Sequence, residues 1–417
     1  MRLLLVLLCP VLCFAGTVFP ASAQELNAKF SFSLAHHDRK SGTDGHAALP
    51  LLPGTHARTR SDLELRLRWR GVSAQSTLRL ASGENGSAAA FESDINQLYY
   101  DGKLENGLDW SLGKKVTTWG VGFGFRPLDV IQREDRRAHN PPALVGLPLL
   151  ALEHFSENGA LTLAWINPAT QKNHAGDRKD EALALRYFRF AEQHDLHLVA
   201  RLSRTRKLEF GLGATHVVND GLSLHGAALY AQRYPVTINR LLREGELFAA
   251  ADPMRRVLRK HGARAVAGLQ WTGESGWSVL AEAHYDGEAY AGKDWRRLFA
   301  LTRAQTAHAA LFPATPAGGG IVAANVAWSA QAYRQPGLIR ENLLLRFAHD
   351  DGHGFKPYLE LFAAPRDRGV VLTAGFEQTR NRHRFLAGFR HFSGPTDSVY
   401  ANVPEQNIAW LRWELAF

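Results

Sequence analysis

Residues 63–70 read Leu-Glu-Leu-Arg-Leu-Arg-Trp-Arg, with apolar and charged side chains in strict alternation. In an extended strand successive side chains point to opposite faces. Leu63, Leu65, Leu67 and Trp69 therefore share one face, and Glu64, Arg66, Arg68 and Arg70 the other. The last ten residues, Ile408–Phe417, repeat the pattern: Ala409, Leu411, Trp413, Leu415 and Phe417 stand opposite Trp410, Arg412 and Glu414. Further segments of this kind are Leu26–Ala35, Ala74–Leu80, Asp94–Tyr100, Leu108–Lys115, Leu149–Phe155, Ala160–Ile166, Ala182–Phe190, Leu196–Ser203, Leu208–Val217 and Leu222–Gln232. Arg264–Trp271, Trp277–Tyr285, Glu341–His349, Pro357–Phe362, Val370–Glu377 and Arg384–His391 complete the series. The count is about eighteen, and sixteen remains possible because pattern alone places boundaries poorly. Residues Val322–Ala332 also alternate and are a further candidate strand.

The connections are sorted. Every second link is short, such as Gly71-Val72-Ser73, Ser156-Glu157-Asn158-Gly159 and Thr379-Arg380-Asn381-Arg382, while the long ones fall between them, near 36–60, 116–148, 233–262 and 286–339. A soluble β-sandwich has no reason to send all its long loops to one end. Outer-membrane barrels do, with an even strand number, short periplasmic turns and long extracellular loops. The fold class expected is all-β: one transmembrane antiparallel β-barrel over 24–417. Within the long loops, Asp252 and Pro253 suit the start of a helix over Met254–His261, and Asp294-Trp295-Arg296-Arg297 the start of another, ended by Pro313 to Gly320.

The amino terminus changes the picture of compartment. Arg2, the apolar run Leu3–Phe14 and Ala21-Ser22-Ala23 have the form of a secretory signal peptide over 1–23. Both cysteines, Cys9 and Cys13, lie inside it, so the exported chain is expected to lack thiol chemistry and disulfides. Strands begin within a few residues of Gln24, leaving no room for an amino-terminal plug. The cell outer membrane of a Gram-negative bacterium is the expected location. The chain carries 49 Lys and Arg against 40 Asp and Glu. In an exported barrel this excess points to lipopolysaccharide outside or an anion-favouring lumen inside, and away from nucleic acid.

If the leucine-rich phase faces lipid, the other phase lines the lumen, where charge is tolerated because the interior is wet. Candidate pore-lining residues are Arg66, Arg68, Arg70, Arg79, Lys115, Arg186, Arg201, Arg346 and Arg412, with Arg390 in the same phase. Glu64, Glu209, Glu282, Glu360, Glu377 and Glu414 share it and offset part of the charge. Arg66, Arg68 and Arg70 would form a ladder with about 6.6–6.8 Å between rungs, favouring anions.

The link after the fifth strand has an unusual composition. Residues 117–131 space Gly120, Gly122 and Gly124 between aromatics and end in Arg126-Pro127-Leu128-Asp129-Val130-Ile131, and the charged run 133–137 and Pro141-Pro142 follow. Spaced glycines allow sharp bends and close packing against a wall, so this link is either a constriction folded into the lumen or an outer rim loop. The constriction candidates are Arg126, Asp129, Arg133, Arg136 and Arg137, with Lys115 at its root. Gly113-Lys114-Lys115, Trp119-Gly120-Val121-Gly122 and Pro127-Leu128-Asp129-Val130 resemble a segment of porin-like proteobacterial barrels, among them the alginate-export type. The resemblance spans about twenty residues and implies passage of a hydrophilic solute or anionic polymer.

Motifs for chemistry are absent. No phosphate-binding loop occurs, and no local arrangement pairs a nucleophile with a base. His36-His37 and His349-x-x-x-His353 read as solvated loop histidines. No cofactor, metal or enzyme activity is expected. The function expected is an outer-membrane channel for hydrophilic, anionic solutes or polymers. The rivals are a plugged structural or surface barrel that binds lipopolysaccharide or polysaccharide, and an outer-membrane hydrolase. Expected partners are outer-membrane lipids, lipopolysaccharide, the solute or polysaccharide, and a barrel-assembly machinery that would read the aromatic terminus Phe417.

Overall fold

The computed structural model describes residues 25–39, 57–82, 89–132, 143–167, 180–311, 316–335 and 337–417. The expected signal peptide and the constriction candidates Arg133, Arg136 and Arg137 lie outside these residues. Eighteen strands form one antiparallel sheet: β1 (Glu25–Arg39), β2 (Ala57–Trp69), β3 (Val72–Ala81), β4 (Ala90–Lys103), β5 (Asp109–Lys115), β6 (Leu147–Ser156), β7 (Gly159–Ile166), β8 (Ala182–Ala191) and β9 (His194–Ser203). It continues through β10 (Lys207–Asn219), β11 (Leu222–Asn239), β12 (Met254–Thr272), β13 (Trp277–Asp286), β14 (Glu341–His349), β15 (Phe355–Ala364), β16 (Gly369–Arg380), β17 (His383–Ser393) and β18 (Glu405–Ala416). Each strand pairs with its neighbours in sequence, and β1 pairs with β18 from Lys29↔Ala416 upward, so the sheet closes and has no edge. Phe417 N–H adds a bond to Ala28 O at 2.8 Å across the seam.

The alternation decides which way each side chain points. Leu112, Leu183, Leu202, Phe210, Leu212 and Leu411 are large, apolar and half exposed, and sit on the outer phase of their strands. Tyr100, Trp271, Trp277, Phe355 and Phe385 lie on the same phase close to the short turns, an aromatic girdle of the kind found where a barrel meets a membrane interface. The inner phase carries buried polar groups: Ser31, Asp62, Glu64, Thr77, Arg201, Glu209, His225, Glu282 and Glu414.

Two expectations about the insertions are corrected. Met254–His261 is not a helix but the first part of β12, paired with β11 as far as Asn239↔Met254. Thr237, Val236 and Tyr234 on β11 offer a ready ladder partner, and the backbone takes it. The connection there shrinks to 240–253, with one turn of helix, α1 (Leu241–Glu244). Val322–Ala332 is not a strand either. It belongs to α3 (Pro316–Ser329) and a 3-10 turn (Ala330–Arg334), which follow α2 (Gly292–Leu311). β1 also runs through His36 and His37, placing them in a strand and not in a loop.

The 287–340 insertion folds as a cap. Trp295 and Tyr290 are almost fully buried, with Tyr234, Val236 and Ile238 of β11, Ala364 of β15, Val371 of β16 and Tyr400 of the 394–404 connection in one apolar cluster. The Trp295 indole N–H donates to Leu338 O at 2.6 Å, the Tyr290 hydroxyl to Thr237 O, and the Tyr400 hydroxyl to Asn342 Oδ1 at 2.8 Å. Asn325 is bonded both ways to the backbone of Ala249, at 2.9 and 3.0 Å. The cap thus roofs the β11–β16 sector at the long-loop rim.

Candidate functional site

The segment after β5 enters the barrel. Val116 N–H donates to Gln97 Oε1 at 3.0 Å, and from there an arm, residues 116–132, runs along the inner wall. Its apolar side chains Trp119, Val121, Leu128, Val130 and Ile131 are buried against inward-facing Leu147, Leu149, Ile166, Ala184, Val199, Ala227, Leu229 and Val266. A lumen wall so apolar would be poorly solvated without a cover, and the arm supplies it. Leu128 is the anchor, with no exposed surface. It sits over β10 where glycine replaces a side chain: a Cβ on Gly211 would lie 2.6 Å from Leu128 Cδ2, and one on Gly213 2.8 Å from Leu128 Cδ1.

The tip of the arm meets the far side. Phe123 N–H and Gly124 N–H donate to the two carboxylate oxygens of Glu282 on β13, at 2.6 and 2.8 Å. His225 Nε2 lies 2.8 Å from the same carboxylate, which is buried. Phe125 stacks face to face on His284, centroids 3.6 Å apart, and lies 5.5 Å from Phe362 on β15. β13 stands eight places from β5 in the eighteen-strand sheet, so the arm follows the inner wall nearly halfway round the barrel. A buried carboxylate is costly unless it accepts hydrogen bonds; here the arm supplies two donors beside the wall's His225.

Asp129 and Arg126 shape the arm. Asp129 Oδ1 accepts from Trp119 N–H at 2.8 Å and Gly120 N–H at 2.5 Å, and Arg126 Nε donates to Gly122 O at 3.1 Å. Asp129 is buried, so it clasps the two ends of the arm together and does not meet solvent. Buried Gln132 donates to Val145 O at 3.0 Å, and Asn96 Nδ2 reaches Leu144 O at 3.2 Å, tying the return of the chain to β4.

The inward arginines divide by environment. Arg201 is closed in by Asp180 at 2.9 Å and Glu209 at 2.5 Å with 4% of its side chain exposed, and Arg206 beside it is held by Glu288 at 2.9 Å. Arg79 is clasped by Asp62 and Glu92, each at 3.0 Å. Lys115 is bonded to Asp101 at 3.1 Å and Ser111 at 2.8 Å, over the Tyr99 ring. Arg186 lies over Phe188 and 3.4 Å from His197. Arg412 joins Glu414 at 2.7 Å, and Arg390 joins Thr373 at 2.9 Å. Arg66, Arg68 and Arg346 are different: their side chains are 59%, 69% and 42% exposed, and their nearest carboxylates (Glu64, Glu25 and Glu360) are 3.6 Å away. Arg70 leaves the ladder, because it occupies the β2–β3 turn with φ +45° and stacks over Trp69. Lys29, Glu64, Arg66, Gln75, Gln97, Val116 and Arg412 line a cavity of about 300 Å³ beside the root of the arm, closed by Ala143 and Leu144.

Sequence reasoning gave both wall phases and offered an inward fold as one of two placements for 117–131, but missed the receptors, Glu282 with His225 and His284, as a group. Their only signal was their inward phase. The seat of the arm had a clearer one: glycine at the successive inward positions Gly211 and Gly213, with Ala227 and Ala231 flanking Leu229 on the neighbouring strand.

No family model matches the sequence, and no curated protein matches it. Solved structures do match in shape. OccAB2 of Acinetobacter baumannii aligns over 96% of this chain and 99% of its own, with a TM-score of 0.52 at 9% identity. OccK11 (OpdR) of Pseudomonas aeruginosa aligns over 94% of each chain, with a TM-score of 0.51 at 10% identity. Wzi of Escherichia coli, an outer-membrane protein involved in group 1 capsule assembly and a carbohydrate-binding β-barrel, aligns over 95% of this chain and 85% of its own, with a TM-score of 0.52 at 9% identity. Such identities speak for fold alone, and at that level they bear out the resemblance of residues 113–130: the architecture is that of the porin-like outer-membrane β-barrels.

Proposed function

We propose that the chain is an outer-membrane channel of a Gram-negative bacterium, narrowed by the 116–132 arm and selective for hydrophilic anions. The observation that carries this reading is the unequal depth of the charges on the wall. The carboxylates of Glu64, Asp62 and Glu414 keep less than a tenth of their side-chain surface, while the side chains of Arg66, Arg68 and Arg346 are 59%, 69% and 42% exposed. A solute passing the wall would meet guanidinium groups first, and rings of cationic side chains favour anions. The arm occupies the apolar half of the wall and leaves the charged half to bound the passage. The test is planar-bilayer recording of the full chain. Discrete conductance with anion preference is expected, and replacing Arg66, Arg68 and Arg346 by Gln should move the reversal potential toward cation preference. Silence in bilayers would end the channel reading.

A second reading has its own support. The cap seals the β11–β16 sector through a continuous apolar cluster, and Wzi, which shares the fold, binds carbohydrate. A plugged barrel presenting a surface to polysaccharide would give no conductance but would retain a labelled acidic polysaccharide in pull-down.

A further inference from the structure

The tip of the arm and the foot of the cap stand on the same three strands. On β13 the Phe125 ring of the arm lies on His284. Two residues on, Asp286 begins the cap: its N–H donates to Arg340 O at 2.7 Å, and its Oδ1 accepts from Glu288 N–H at 3.0 Å. On β14 the tip rests on Leu344, so closely that a Cβ on Gly124 would collide with Leu344 Cδ2. Two residues away, Asn342 accepts from the Tyr400 hydroxyl at 2.8 Å and donates to Ile339 O at 2.9 Å, both in the apolar cluster under the cap. On β15 Phe125 meets Phe362, and Ala364, two residues on, is fully buried in that cluster. Each pair shares the inward phase, with about 6.6–6.8 Å between its members. The register keeps them together, because His284 pairs with Asn342 and Leu344 with Phe362.

The rings join what the strands bring close. Phe125 packs against the core beneath the arm, and Phe362 against the core beneath the cap. Their centroids are 5.5 Å apart, and Phe362 lies edge-on to Tyr400 at 5.7 Å. The two cores are therefore continuous through this ring pair. A polar strip along β13 runs beside it. Glu282 holds the arm tip, and Glu288, six residues on, is held by Arg206 at 2.9 Å. Arg264 of β12, in register with Asp286, lies 3.7 Å from Glu288. Close-packed interiors switch between discrete arrangements and do not deform smoothly. Withdrawing either element would leave a void in the footing of the other.

We propose that the arm and the cap form one coupled unit: they seat together and release together, so that lifting the cap at the long-loop rim frees the arm tip inside the barrel. In a conducting barrel this puts control of the constriction at the cap. The coupling rests on the shared footing and not on conduction, and the physical warrant is that both elements bias the same packed sector.

The test is limited proteolysis of the full chain refolded in detergent, with cleavage in 116–132 and in 287–340 followed separately by mass spectrometry. Gly124→Val alters the arm alone and wedges its tip away from Leu344. Trp295→Ala alters the cap alone, removing an indole that is almost fully buried. Each should speed cleavage in its own element and also, about 3- to 10-fold, in the other. Phe362→Leu, which takes away the ring between the two cores, should shrink this cross-effect. Heat-modifiable migration confirms that each variant is a folded barrel, and Leu338→Ala replaces Trp295→Ala should the latter fail to fold. Cleavage of one element at the wild-type rate while the other is opened overturns the proposal. Bilayer recording of the same variants separates the outcomes. Silent barrels whose two elements still open together would lose the channel reading and keep the coupling, whereas conductance with independent opening would do the reverse.

Discussion

Phe123 and Glu282 are 159 residues apart in sequence, yet the amide N–H of the first donates to the carboxylate of the second at 2.6 Å, from an arm rooted at β5 to a strand on the far side of the barrel. This bond and its neighbour from Gly124 fasten the tip of the arm to β13.

Glu282→Gln should therefore loosen the tip. One oxygen becomes an amide that faces a donor, and losing a buried charged acceptor costs about 1–3 kcal/mol. In single-channel recording the variant should show larger or more frequently fluctuating conductance. Traces indistinguishable from wild type would mean that the tip is held by Phe125 on His284 instead.

Leu128→Ala tests the seat. Leu128 is fully buried over Gly211 and Gly213, and such a truncation costs about 2–5 kcal/mol. Much of that loss should appear as release of the arm, because the barrel wall keeps its ladder. Proteolytic cleavage within 116–132 should accelerate at least ~10-fold, with heat-modifiable migration of the barrel retained. Loss of that migration would show that the arm supports the wall itself.

The arginines should separate by environment. Arg66→Gln and Arg68→Gln should change selectivity with little effect on stability, as both side chains are mostly exposed. Arg201→Gln should do the reverse, because it leaves Asp180 buried without its cation and Glu209 with Arg206 alone; breaking such a pair costs about 3–5 kcal/mol. Reversal potentials and urea unfolding on the same three variants decide. A selectivity change in Arg201→Gln equal to that of the exposed pair would contradict the division.

Alkaline pH should loosen the cap. Burial pushes the Tyr290 hydroxyl up to about 12, and Tyr333, also buried, is raised as well. In this range the opened cap binds fewer protons than the closed one, so stability is full below about 10, the ordinary tyrosine value, and falls as pH rises toward 12. The linkage for Tyr290 amounts to roughly 2–3 kcal/mol over that window. Tyr290→Phe should flatten its share of the decline, measured as protease access to 287–340 between pH 9 and 12. An unchanged slope would place the sensitivity elsewhere.

Much of this was legible from periodicity. The alternation at 63–70 and 408–417 depends on a two-residue repeat that the backbone imposes locally, so the approximate strand count, the wall phases and the inward direction of Arg66, Glu64 and Arg412 follow without any knowledge of neighbours. Helix signals were weaker guides. Asp252-Pro253 suits a helix start, but β11 lay alongside and 254–262 extended its ladder. Conversely, Val322–Ala332 alternates by chance, and with no strand beside it the segment coiled instead.

The contents of the barrel needed the fold. Whether an inward arginine meets water or a carboxylate depends on partners from other strands, as with Arg201 between Asp180 and Glu209. The composition of 117–131 announced close packing somewhere; only closure of the sheet brought Glu282 and His284 within reach of it, because contacts across a barrel join residues whose separation in sequence carries no periodic trace. Local alternation wrote the wall, and the long-range geometry of the closed sheet determined what crosses it.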